Sequence, residues 1–139
     1  YSSDWNLVGL PLQVDVPHYA VIFPDAIEGT LFSFNEGYNP EEILVYGNGY
    51  WLRFPSESNV IITGLPIEEL TISLAQGWNL ITGISFPFNL NDIVDADNII
   101  IDGTLYSFAD GYQPVETLEP GKGYWVRANN AGNLTFMNN

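Results

Sequence analysis

Residues 29–53 read GTLFSFNEGYNPEEILVYGNGYWLR and residues 103–127 read GTLYSFADGYQPVETLEPGKGYWVR. At a constant offset of 74 the two stretches are identical at 15 of 25 positions. Upstream, Trp5-Asn6-Leu7-Val8 returns as Trp78-Asn79-Leu80-Ile81 at an offset of 73, so one inserted residue separates the two blocks of similarity. Self-similarity at a fixed period means one supersecondary unit used twice. Whatever the repeated residues do is then done in both copies, and a single asymmetric active site is the less natural expectation.

Turn chemistry punctuates each copy. Asp102-Gly103 and Asp110-Gly111 flank the β-prone run Thr104-Leu105-Tyr106-Ser107-Phe108, and the first copy keeps both signals as Glu28-Gly29 and Glu36-Gly37. Glycine at the same place twice predicts a backbone that needs positive φ. A third turn, Gly47-Asn48-Gly49 and Gly121-Lys122-Gly123, precedes the aromatic strands Tyr50-Trp51-Leu52-Arg53 and Tyr124-Trp125-Val126-Arg127. Val60-Ile61-Ile62 and Leu134-Thr135-Phe136 close the two units. Nine prolines exclude long helices; single turns are expected near residues 17–23, with Asp15 as cap and Pro17 in the first turn, and near residues 89–94. The sequence therefore predicts an all-β protein. Two tandem repeats of short antiparallel strands, 1–66 and 67–139, form a pseudo-twofold β-sandwich or barrel with at most one helical turn per repeat.

Composition bounds the function. The 139 residues are 46% hydrophobic and 14% aromatic, as in a packed globular chain. Seventeen acidic side chains against Arg53, Lys122 and Arg127 give a net charge of −14, which repels phosphate backbones and anionic lipids. Nucleic acid and membrane insertion are thus not expected, and no apolar run reaches the roughly 18 residues of a membrane span. Cysteine is absent, so disulfides and thiolate metal sites play no part. A start at Tyr1 fits removal of a signal peptide or excision from a longer protein.

One asymmetry breaks the repeat. The second copy is preceded by the alternating run Glu69-Leu70-Thr71-Ile72-Ser73-Leu74, whereas the first is preceded only by Tyr1-Ser2-Ser3-Asp4. If the strand containing Leu70, Thr71, Ile72, Ser73 and Leu74 pairs inside the domain, an equivalent edge stays open elsewhere and invites pairing with another chain. The competing reading is a piece of a longer array whose ends are capped by loops.

The ordered set Trp-Asn-Leu-Ile/Val, Gly-Thr-Leu-Tyr/Phe-Ser-Phe and Gly-Lys-Gly-Tyr-Trp-Val-Arg resembles the "GWNLI … GKGYWV" modules of secreted, multidomain bacterial surface proteins. The resemblance covers both copies and implies an extracellular or cell-surface, non-catalytic accessory module beside other domains or in arrays. Asn48 in place of Lys122, and Asp4 in place of Gly77, depart from the pattern. It assigns no ligand to particular positions.

Candidate binding residues follow from strand periodicity. Trp51 shares a face with Arg53 and Trp125 with Arg127, two indole–guanidinium pairs suited to cation–π contact or to holding a sugar ring; the same side chains would serve equally as core with a satisfied arginine. Trp5 and Trp78 are expected in the core. Tyr38 and Tyr112, each after a turn glycine, are the expected exposed aromatics. Asp92, Asp95 and Asp97 form an oxygen-rich loop of the type calcium chooses, without the spacing of an EF-hand, and solvated carboxylates are the plain alternative. His18 is the only histidine, and no nucleophile elbow accompanies it. Paired carboxylates, Glu42 with Glu116 or Glu36 with Asp110, would be the sole route to a glycosidase. The expected function is a non-catalytic structural or interaction module that associates with its own copies or neighbouring modules through β-edge pairing and aromatic contacts. The alternative is a carbohydrate-binding module appended to a secreted enzyme, with polysaccharide as partner.

Overall fold

Burial alternates along residues 50–54: Tyr50, Leu52 and Phe54 are buried, Trp51 is half-buried and Arg53 is exposed. Residues 124–128 keep Tyr124, Val126 and Ala128 buried and Arg127 exposed, with Trp125 now buried as well. A period of two with unlike faces is the mark of a strand packed on one side. The computed structural model describes residues 1–138, and the fold is all-β apart from two single helical turns.

The first repeat contains β1 (Asp4–Val8), β2 (Leu12–Gln13), α1 (Tyr19–Ile22), β3 (Phe32–Phe34), β4 (Tyr38–Pro40), β5 (Tyr50–Phe54) and β6 (Leu65–Pro66). The second contains β7 (Glu69–Leu74), β8 (Gly77–Thr82), β9 (Phe88–Asn89), a 3-10 turn (Leu90–Asp92), β10 (Tyr106–Phe108), β11 (Tyr112–Pro114), β12 (Thr117–Leu118), β13 (Gly123–Ala128) and β14 (Gly132–Met137). Two four-stranded antiparallel sheets, β1-β5-β3-β4 and β8-β13-β10-β11, have the same strand order in the two repeats. Even the register repeats, Phe32 standing opposite Trp51 and Tyr106 opposite Trp125. Three two-stranded ladders, β2·β6, β9·β12 and β7·β14, complete the pairing. No helix among the described residues is long and apolar enough to cross a membrane.

The residues identical in the two copies hold equivalent turns. Thr30 Oγ1 donates to the Ile27 carbonyl at 2.6 Å and accepts from the Arg53 N–H; Thr104 does the same with Ile101 and Arg127. The Asn6 and Asn79 amides bond the turns before β1 and β8. Tyr50 Oη accepts from the Val45 N–H at 2.9 Å and Tyr124 Oη from the Glu119 N–H at 2.7 Å, so each phenol ties down the loop before its own strand. Burial pushes both phenols above the usual tyrosine range, against the smaller lowering by those backbone bonds. The expected positive φ appears at Gly29 (76°), Gly103 (75°), Gly37 (136°) and Gly111 (122°), with Glu36 and Asp110 left-handed beside the last two.

The repeats are stitched together reciprocally. The Gly9 N–H donates to the Gly121 carbonyl and the Thr82 N–H to the Gly47 carbonyl, while Val8 bridges Lys122 and Ile81 bridges Asn48. The Gly-x-Gly turn of one repeat therefore lies on the end of the Trp-Asn-Leu strand of the other, β8 for the first turn and β1 for the second. Contact is too close for side chains: a Cβ on Gly49 would sit 2.6 Å from the Ile81 carbonyl oxygen, and one on Gly123 3.0 Å from that of Val8. The middle residue of each turn takes part through its backbone, with Thr82 Oγ1 donating to the Lys122 carbonyl at 2.7 Å.

The helical turns carry one correction, and the strand at 70–74 finds its partner. His18, not Asp15, caps α1, its Nδ1 accepting from the Ala20 N–H at 3.1 Å; Asn89 caps the second turn in the same way. Asp15 lies too far upstream because Pro17 and His18 are still extended ahead of the first helical residue, Tyr19. Leu70, Thr71, Ile72, Ser73 and Leu74, the expected assembly edge, pair inside the domain on one side: they run antiparallel to β14 over its full length, from Leu74 opposite Gly132 to Glu69 opposite Met137. Only the outer side of β7 lacks a strand neighbour.

Candidate functional site

Each repeat has its own apolar core, with Leu52, Phe54, Phe23 and Leu31 in the first and Val126, Leu134, Phe136 and Leu105 in the second. The remaining sheet faces meet over a third, shared cluster of Leu7, Leu80 and Trp125. That cluster is small, and its margins open to solvent as two clefts of about 430 Å³ each.

Trp5, Phe32, Tyr38 and Trp51 of the first repeat and Phe108 of the second line one cleft. The other is lined by Trp78, Tyr106, Tyr112 and Trp125 of the second repeat and Phe34 of the first. Every lining residue of one has its repeat equivalent in the other, and each repeat lends one phenylalanine across the junction. Geometry agrees closely. Trp51 meets Phe108 edge-on at 4.9 Å and 78°, Trp125 meets Phe34 at 4.9 Å and 77°. Trp5–Trp51 is 6.3 Å at 85°, Trp78–Trp125 6.5 Å at 90°. Tyr38 packs on Phe34 and Tyr112 on Phe108, linking the clefts into one belt. Edge-to-face arrangements at these separations are favourable beyond simple area burial and hold the rings in fixed orientations.

All four tryptophans of the chain belong to this belt. Trp51, Trp125, Tyr38 and Tyr112, singled out from the sequence, are brought together, and the two tyrosines are exposed as expected. Trp5 and Trp78 correct the expectation of core positions: Trp78 is 42% exposed and Trp5 half-buried. Their strands bury the following residues, Leu7 with Val8 and Leu80 with Ile81, while the indoles stand at the cleft margin. Phe32, Phe34, Tyr106 and Phe108 were missed. Their signal was present in the aromatic-Ser-aromatic triplets, whose two rings share one strand face.

The arginines flank the belt. Arg53 stands opposite Trp5 in the β1–β5 ladder and Arg127 opposite Trp78 in the β8–β13 ladder. Arg53 Nε donates to Asp4 Oδ1 at 2.7 Å, an exposed ion pair that contributes little to stability. Gly77 replaces Asp4 in the second repeat, leaving that contact without an equivalent at Arg127. The lining holds no carboxylate, imidazole or amine, so the clefts can bind apolar or aromatic groups but hold no side chain suited to general acid–base work at neutral pH. One polar atom stands out: the Trp125 Nε1–H is buried with no partner among the described residues.

The acidic candidates do not assemble. Among the described residues no three His, Cys, Asp or Glu side chains are grouped as a metal site, those of Asp92, Asp95 and Asp97 included. Asp95 is occupied otherwise, its two oxygens accepting from the Ile99 and Ile100 N–H groups at 2.9 and 3.0 Å. Glu36 and Asp110 are turn residues at φ 56° and 53°. Ile72, Ser73 and Leu74 border a broad, more polar concavity that also takes in Asn48, Asn79 and Glu41.

Comparison with known proteins gives no matching family model, no matching curated protein and no matching solved structure.

Proposed function

We propose that this chain is a non-catalytic interaction module of an extracellular or cell-surface assembly, joined to copies of itself or to neighbouring modules by aromatic contact and β-edge pairing. The observation that carries this reading is the duplicated aromatic cleft. A pocket of about 430 Å³ lies within the roughly 300–1,000 Å³ range of small-group sites, with room for one or two apolar side chains. Inserting one Leu- or Phe-sized group contributes about 1.5–3 kcal/mol. Two equivalent sites on one rigid unit allow bivalent contact, which multiplies weak affinities without new chemistry. The charge of −14 keeps such a module soluble and favours partners that are neutral or basic.

The test is light scattering across a concentration series, with acrylamide quenching of tryptophan read in the same samples. Because the four indoles all line the clefts, association through them shields the fluorescence as the mass rises. Mass growth with unchanged quenching would refute the use of the clefts.

The exposed faces of Trp78 and Tyr112 favour a second reading, carbohydrate binding, since sugar rings stack on such surfaces. Sugars also require polar groups for their hydroxyls, and the lining offers only tyrosine phenols and indole N–H groups. Retention on a polysaccharide column that Trp78→Ser abolishes, in a chain monomeric at every concentration, would establish this reading in place of the first.

A further inference from the structure

The two clefts share their lining but differ in the charge beside them. In the first repeat Arg53 stands opposite Trp5, and Asp4 holds its guanidinium at 2.7 Å. In the second, Arg127 stands opposite Trp78 in the same register, Gly77 occupies the place of Asp4, and among the described residues Arg127 has no ion pair. The first cleft therefore borders a neutral pair and the second a bare cation, on a chain whose net charge is −14. A positively charged ligand is drawn to the chain as a whole and meets local repulsion only at the second cleft.

The side chains lining the first cleft are all aromatic. Trp5, Phe32, Tyr38, Trp51 and Phe108 form it, with Trp5 at 85° to Trp51, Trp51 at 78° to Phe108 and Trp5 at 53° to Phe32. Rings set at such angles close on a space from several sides, and the face of each carries the negative part of its quadrupole. A cation within about 6 Å of such faces is attracted to them, most strongly to indoles. The same lining discriminates among cations. Its one side-chain acceptor is the Tyr38 phenol, so a lysine ammonium with three donors or a guanidinium with five would enter with most of its N–H groups unpaired. An ammonium bearing only alkyl groups has no donor to satisfy, and its methyl surface gains from burial as any apolar surface does.

We propose that the first-repeat cleft is an aromatic cage for a fully alkylated ammonium group, such as a trimethylammonium head, and that the second cleft takes the same group more weakly. The cleft volume of about 430 Å³ accommodates the head with part of its tether. This proposal deepens the interaction-module reading, on which it rests for taking the clefts as the working surface, by naming the chemistry of the group received.

The test follows the four indole N–H signals of the whole chain by NMR, with light scattering on the same samples, at low salt. Three probes are added separately: choline, its uncharged isostere dimethylbutanol in which carbon replaces nitrogen, and the amide of acetyl-trimethyllysine. The expected result is that the Trp5 and Trp51 signals shift saturably with choline ahead of those of Trp78 and Trp125, and that dimethylbutanol binds at least about fivefold more weakly. Asp4→Gly, which bares Arg53, should weaken choline binding at the first cleft about two- to threefold. Gly77→Asp should strengthen it at the second by a similar factor, in a left-handed position like that of Asp4 with nothing within 4 Å. Dimethylbutanol binding as tightly as choline, shifts that begin at Trp78 and Trp125, or no saturation below about 100 mM choline overturns the cage. Tighter binding of the trimethyllysine amide assigns the group to a neighbouring polypeptide and tighter binding of choline to a small molecule, and either result supports the cage. Failure here is distinct from failure of the module reading. Association that shields the tryptophans while the two isosteres bind equally removes the cage and leaves the module, whereas choline binding to a chain of constant monomer mass keeps the cage and removes self-association.

Discussion

Gly49→Ala tests the joint between the repeats most sharply, because Gly49 has no positive φ and its only demand is space. The new methyl would lie 2.6 Å from the Ile81 carbonyl oxygen and 3.0 Å from its nitrogen. Both atoms are backbone, so no side-chain rotation relieves the contact, and the Gly49 N–H to Leu80 carbonyl bond at 3.0 Å must lengthen or break. Overpacking costs about 1–3 kcal/mol, with about 1 kcal/mol more for a weakened hydrogen bond. Alanine's stiffer unfolded chain returns roughly 0.5 kcal/mol. The net is about 1.5–3.5 kcal/mol, or a fall in melting midpoint on the order of 5–12 °C for a chain of this size. The reference is Gly29→Ala, where φ is +76° and nothing lies within 4 Å; left-handed strain alone predicts about 1–2 kcal/mol. Denaturant unfolding followed by near-UV circular dichroism and fluorescence reads both. A Gly49→Ala stability within about 0.5 kcal/mol of the parent, below the reach of any overpacking term, would refute the close backbone approach between repeats.

Tyr124→Phe leaves the Glu119 N–H without its acceptor and is expected to cost about 1–3 kcal/mol in denaturant unfolding; Tyr50→Phe does the same at Val45. Burial raises the folded pKa of Tyr1, Tyr50 and Tyr124 above the unfolded value of 10.0, so their contribution is fully present below pH 10 and is lost as pH rises above it. A pH series of unfolding midpoints should therefore turn downward above pH 10, and Tyr50→Phe should shallow that slope. Asp4→Gly removes a left-handed φ of 75° where Gly77 sits naturally, and removes the exposed Arg53 ion pair; the strain relieved outweighs the weak pair lost, so a net gain of about 1 kcal/mol is expected, larger at high salt than at low. Asp95→Ala should cost about 1–3 kcal/mol by freeing the Ile99 and Ile100 amides, a loss that added calcium does not restore.

The all-β class, the turn glycines and the two helical turns were legible in the sequence because local chemistry decides them. Asp or Glu before Gly, a period of two in Tyr-Trp-Leu-Arg and a proline ahead of each short helix act within a few residues. The cap of α1 was not, since the side-chain acceptor is a histidine, a residue ranked behind Asp and Asn by capping statistics. Trp5 and Trp78 were misjudged for a different reason. Each is large, apolar and next to core residues in sequence, yet its exposure depends on how far the facing sheet extends over it. That is a property of the joint between repeats. The crossing of Phe34 and Phe108 into the opposite cleft likewise exists only in three dimensions. The role of Asp95 in accepting from the Ile99 and Ile100 amides could not be read from the spacing of Asp92, Asp95 and Asp97, because it depends on how the loop folds back on itself. The asymmetry ahead of the two repeats was visible in the sequence, but the equivalence of the Tyr1–Ser58 pair to the Leu74–Gly132 pair appears only once the strands are folded together.

Tryptophan quenching during association bears most directly on the claim that the aromatic clefts are the working surface. With Trp5, Trp51, Trp78 and Trp125 all on the belt, a concentration series that raises the scattering mass should blue-shift the emission and lower acrylamide access, and the Trp5→Ser, Trp78→Ser double variant should stay monomeric. A chain that remains monomeric to millimolar concentration with unchanged emission, or one that assembles equally well without those two indoles, would contradict it.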